Sequence, residues 1–95
     1  MTKNENNNTL FITSKVVKYK GDVKMRNNLS TLMGAKKVKI SELSKETGIS
    51  QTTIKGLYYE RTNKVEMRTI LKICEYFKVT PNELLGIEPI KELSR

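Results

Sequence analysis

The hydrophobic pattern along the chain changes character twice. Residues 9–20, TLFITSKVVKYK, mix β-branched and aromatic types with Lys15, Lys18 and Lys20. That composition predicts a short strand within 10–19, or an extended arm. The turn signal Gly21-Asp22 closes it. A single strand needs a partner. It can pair with a second copy, with Leu10, Ile12 and Val16 on one face, or stay mobile and reach around a duplex with Lys15, Lys18, Lys20 and Lys24. From Asn27 onward the spacing is helical. Leu29, Leu32, Met33 and Lys36 fall at i, i+3, i+4 and i+7, which predicts a helix over about 28–37 with the Lys36 stem along the apolar edge.

Polar punctuation divides the rest. Ser41 is read as the N-cap of a short helix, ELSKET, which Gly48 stops because glycine takes positive φ without steric cost. Ser50 is a second N-cap. It opens QTTIKGLYYE, with Ile54 and Leu57 at i, i+3. Residues 61–64, with Arg61 and Lys64, read as a basic loop. Met67, Ile70, Leu71, Ile73, Cys74 and Phe77 form one broad face, predicting a fourth helix over about 66–77. Thr80-Pro81-Asn82-Glu83 is a capping box with proline at the first helical position, and it opens a fifth helix ending at Gly86. Glu83 is therefore structural. Residues 1–8, rich in Asn, are expected to be disordered, and residues 87–95 to form a frayed tail. The expected organisation is an all-α, five-helix domain over 25–86, a 1–24 extension that can form a short strand, and a 87–95 tail. Met25 is also a possible alternative start.

Some assignments follow from packing alone. Cys74 on the apolar face of the fourth helix reads as an inert buried thiol. Gly34-Ala35 reads as a place of close helix packing. Ser44 is small where the second and third helices must cross, and Tyr58 reads as rim packing.

Composition narrows the function. The 95 residues hold 18 Lys+Arg against 10 Asp+Glu, no His and one Cys, for a net charge of +8. No His means no imidazole acid–base chemistry and no His-liganded metal. One Cys cannot close an internal disulfide. No apolar run approaches a membrane span, and the first residues lack a secretory signal pattern, so a reduced, cytoplasmic protein is expected. No catalytic group and no cofactor site is apparent, and an enzyme is not expected. The positive charge favours a polyanion: nucleic acid, or an anionic membrane surface. Five Lys against two acids fall in 1–24, 11 Lys+Arg against six acids in 25–86, and the tail is neutral.

The segment ISELSKETGISQTTIKGL, from Ile40 to Leu57, joins two short helices through Gly48-Ile49-Ser50. Such a pair leaves its second helix standing proud of the domain. A helix of that width fits the major groove of B-DNA. Gln51, Thr52, Lys55 and Tyr58 or Tyr59 lie on its outer face. Gln can contact adenine in bidentate fashion, Lys favours guanine, and Thr offers a hydroxyl and a methyl.

The stretch from about Met25 to Gly86 resembles the Cro/CI-type, lambda-repressor-like (XRE-family) helix-turn-helix domain. The Leu29/Leu32/Met33 helix, ISELSKETGIS, QTTIKGL and TILKICEYFKVTPNELLG carry the resemblance over about two thirds of the chain. It implies a DNA-binding transcriptional regulator, most simply a dimeric repressor on a roughly palindromic operator. Phages, plasmids, mobile elements and bacterial chromosomes carry such proteins. It places Gln51, Thr52 and Lys55 on bases. Ser50 and Thr53 would lie near bases or the phosphate rim, with Tyr59, Arg61, Lys64, Lys39 and Ser41 along the backbone. The chain departs from the family at Ile40, where many members carry a Gln that braces the base-reading Gln. It departs again at Ser44, more often Ala. A protein-interaction module on the same fold, an antirepressor or adaptor, is the competing reading.

Overall fold

The computed structural model describes residues 10–13, 15–19 and 24–91. The expected disordered 1–8 segment, the Gly21-Asp22 turn, Lys20 and the last four residues lie outside the described residues. Five helices follow in order: α1 Leu29–Lys36, α2 Ile40–Thr47, α3 Gln51–Tyr58, α4 Met67–Phe77 and α5 Pro81–Leu84. An antiparallel sheet lies beside them, in the order β1 Leu10–Thr13, β2 Val16–Tyr19 and β3 Lys64–Glu66. The protein is thus a five-helix domain with an N-terminal extension built into a small sheet.

The partner that a strand in 10–19 needs is within the chain. β1 and β2 form a hairpin with Phe11 opposite Lys18 and Ile12 opposite Val17. β2 then pairs with β3, Val17 opposite Val65 and Lys18 opposite Lys64. Lys64 therefore opens a strand and does not end a loop. The reason is burial with period two: Val65 is buried between exposed Lys64 and Glu66. The Tyr19 N–H donates to Asn63 O at 2.7 Å, and the Met67 N–H to Lys15 O at 2.6 Å, so the ladder is tied beyond both ends of β3.

The core runs continuously through helices and sheet. Val17 and Tyr19 from β2 join Met25, Leu29, Leu32, Leu43, Ile54, Leu57, Ile70, Ile73 and Phe77 in one buried cluster. Met25 is wholly enclosed, and its N–H donates to Thr62 O at 2.7 Å. In α4 the apolar face is narrower than the sequence suggests. Leu71 is 52% exposed, because at this position the helix has already turned toward solvent. Gly34 and Ala35 are exposed, and a side-chain carbon at Gly34 would meet nothing, so this pair permits no close packing.

The helix termini follow local chemistry, with one correction. Helix α2 begins at Ile40, with Lys39 as an extended N-cap lacking a side-chain cap bond. Ser41 lies inside its first turn and is exposed. Packing sets this start: Ile40 is half-buried against the core, which draws the first turn two residues earlier than Ser41 would. The Thr80 hydroxyl accepts from Glu83 N at 3.1 Å while the Glu83 carboxylate accepts from Thr80 N at 2.8 Å, completing the capping box. The other Glu83 oxygen accepts from Lys91 N at 2.9 Å, and Ile90 packs on the core. The chain beyond Gly86 is thus docked as far as Lys91 and not frayed there. Two backbone N–H donors, Lys91 first and then Thr80, hold the Glu83 carboxyl below its ordinary pKa.

Candidate nucleic-acid interface

The candidate surface is built by the turn between α2 and α3. Gly48 takes φ +79°, closing α2 as its N–H donates to Ser44 O at 2.8 Å. Ile49 then plunges into the core. Three polar bonds fix this corner. The Ser44 hydroxyl donates to Ile49 O at 2.6 Å, the Thr47 hydroxyl to Leu43 O at 2.7 Å, and the Ile49 N–H to Thr47 Oγ1 at 3.2 Å. Ser44 is more than a small residue at a crossing; its hydroxyl satisfies a carbonyl the turn leaves open.

Ser50 caps α3. Its Oγ accepts from Thr53 N at 3.2 Å and donates to Thr53 Oγ1 at 2.9 Å. The helix so started is two-sided. Ile54 and Leu57 are sealed inward, whereas Gln51, Thr52 and Lys55 are exposed on the opposite side. Thr53 is half-buried beside them. Lys39 and Ser41 are exposed at the start of α2, where the free N–H groups of the first turn favour an anion.

Beyond α3, Tyr58 is half-buried against the core and Tyr59 is 53% exposed. Their rings meet edge-on, centroids 4.9 Å apart. The Arg61 guanidinium carbon lies 4.7 Å from the centroid of Tyr59, so the arginine is held over an aromatic face and not loose in solvent. Lys64 is exposed on β3, apart from α3 in sequence but beside it in space: Thr52, Thr53, Arg61 and Lys64 all line one open groove of about 1010 Å³.

Two residues that anchor α3 carry no sequence signal. The Asn27 side-chain amide donates to Leu57 O at 2.9 Å, and its Oδ1 accepts from Leu29 N at 2.9 Å. One side chain therefore joins the end of α3 to the start of α1. Glu60, at φ +55°, accepts from Asn27 N at 3.2 Å. A positive φ on a non-glycine residue costs about 1 kcal/mol or more, which this bond helps offset. Lys18, expected from the sequence only as part of a mobile basic arm or a strand, lies opposite Lys64 and lines the same groove. Cys74, away from this surface, is buried, and burial pushes its thiol up to about 11, so it stays protonated. Among the described residues no cluster of Cys, Asp or Glu could hold a metal, and no helix is long and apolar enough to cross a membrane.

The Cro/C1-type HTH DNA-binding domain family matches residues 28–89. The chain belongs to this family. An uncharacterized HTH-type transcriptional regulator of Coxiella burnetii (strain RSA 493 / Nine Mile phase I) is 36% identical over 66 residues, covering 70% of this chain and 31% of that relative. The chain thus spans about a third of the relative's length. No solved structure matches it. The Cro/C1-type match begins at Asn28, so β1 and β2 lie outside it.

Proposed function

We propose that this Cro/C1-type protein is a sequence-specific regulator of transcription that lays α3 in the major groove of duplex DNA. The observation that carries the reading is the two-sidedness of α3: the side opposite its core contacts is an uninterrupted polar face of Gln51, Thr52 and Lys55. These three read base edges, Gln51 by its amide, Lys55 as a donor to guanine, and Thr52 by hydroxyl and methyl. Lys39, Ser41, Ser50, Thr53, Tyr59, Arg61 and Lys64 follow the backbone, supplying affinity by releasing condensed counterions. The simplest biological form is a cytoplasmic homodimeric repressor on an inverted repeat. The relative's description as a transcriptional regulator supports the general role.

Binding to a labelled duplex tests this. Log K should fall with log salt by about 0.9 per phosphate neutralised. Lys55→Ala should cost about 1–3 kcal/mol at one base position, while Arg61→Ala should weaken every sequence alike. Equal losses on specific and unrelated DNA for both variants would remove Lys55 from base reading. No duplex binding at low salt, together with a recovered protein partner, would favour the adaptor reading instead.

A further inference from the structure

We infer that the outer face of the β2–β3 ladder is a second contact surface for DNA, a short wing whose Lys18 and Lys64 grip the phosphate backbone beside the segment facing α3. The inference rests on the duplex-binding reading and extends it to a part of the chain outside the family match.

The first observation is a register conflict. Lys18 and Lys64 are direct cross-strand partners and both are exposed. Like charges directly opposite on one sheet face repel, and a neutral or oppositely charged pair would serve folding better. The repulsion vanishes when an anion sits between them. The second observation is location. Strand alternation sends Val17, Tyr19 and Val65 into the core, and so turns Lys18 and Lys64 outward together. That outward face walls the same groove as Thr52 and Thr53 of α3 and Arg61 of the connecting loop. The third observation is charge. Lys18, Arg61 and Lys64 outnumber the groove's one acid, Glu66, whose direct cross-strand partner is Val16. A cationic trough open to solvent, flanked by threonine hydroxyls and running alongside a major-groove helix, suits a sugar–phosphate strand. A protein that enters the major groove meets that strand at the groove's edge. The wing is also rigidly mounted. The Arg61 N–H donates to Gly56 O at 2.8 Å and ties the loop to α3, while the Thr62 hydroxyl donates to Lys64 O at 2.7 Å and accepts from Lys64 N at 3.2 Å, fixing the entry to β3.

The test uses the full chain and short labelled duplexes, one carrying a selected binding sequence and one of unrelated sequence. Lys18→Gln and Lys64→Gln should each flatten the salt dependence by about 0.9 in slope, and together by about 1.8. Both should weaken the two duplexes by the same factor. In the free protein both should raise Tm by a few degrees, since the repulsion is relieved. A residue that merely supported the fold would lower it. Lys72→Gln, which removes the same charge from an exposed α4 position, should leave the slope unchanged. Unaltered slopes and affinities in the sheet variants, with Lys55→Ala still lowering preference for the selected duplex, would overturn the wing and leave the α3 reading standing. So would an equal flattening by Lys72→Gln. Loss of all duplex binding in the unmodified chain would remove both readings.

Discussion

The α2–turn–α3 unit and the β2–β3 ladder are two solutions to the same problem. Each seals an apolar side into the common core and turns a cationic or polar side outward over one groove. They differ in what holds them. The helical unit is specified by neighbours in sequence: the Ser50 cap, the Gly48 turn and the Ser44, Thr47 and Ile49 bonds all span five residues or fewer. The ladder joins Val17 to Val65 across about half of the chain. A local unit can keep its geometry while its sequence-reading face varies. A long-range ladder ties whatever it carries, here Lys18 and Lys64, to the integrity of the whole core.

Removing the ladder should have the largest effect. A chain starting at Met25 loses the buried Val17 and Tyr19 and uncovers Val65. Each large apolar side chain contributes about 1.5–3 kcal/mol, so the loss is about 3–6 kcal/mol, a large share of a small domain's stability. Urea unfolding should show a much lower midpoint, while the ranking of DNA sequences by any folded fraction stays the same. An unchanged midpoint would mean the ladder is not part of the core. The local unit breaks differently. Gly48→Ala forces a methyl-bearing residue into φ +79° and should cost about 1–2 kcal/mol, with preference for the selected sequence reduced as the turn shifts. Stability loss without any change in preference would show that the turn does not set the pose of α3.

Acid gives the smallest effect and acts on neither surface directly. The folded Glu83 carboxyl is held below its ordinary value of 4.5 by backbone donors. A depressed folded pKa adds stability that is fully present above the ordinary value and is lost as pH falls through the folded one. Tm should therefore drop on acidification below about 4.5. Glu83→Gln should flatten that drop, and an unflattened profile would assign acid sensitivity elsewhere.

The same contrast explains what the sequence made legible. The five helices, the Ser50 cap, the Thr80 capping box and the Gly48 stop are readable because each signal lies beside the bond it predicts. Ser41 misleads as a cap because burial of Ile40 decides the start of α2, and burial is not local. Leu71 reads as core by spacing, yet only the surrounding elements determine how wide a helix face is covered. β3 has three residues, too few to announce a period of two, and its partner is far upstream. Lys91 docks onto α5 through a carboxylate whose second oxygen no motif reveals, and Ile90 packs on the core beside it in sequence. In the candidate site, the outward position of Gln51, Thr52 and Lys55 follows from helical phase alone. The approach of Lys18 to Lys64 and the Asn27 link between α1 and α3 do not, since both depend on strand register and tertiary packing.

The most direct measurement is selection of binding sequences from a random duplex library by the full chain at low salt. The expected result is enrichment of one motif, arranged as an inverted repeat, with preference at a defined base position lost in Lys55→Ala. Recovery of DNA without any enriched sequence, or of no DNA at all, would contradict a base-reading role for the exposed face of α3.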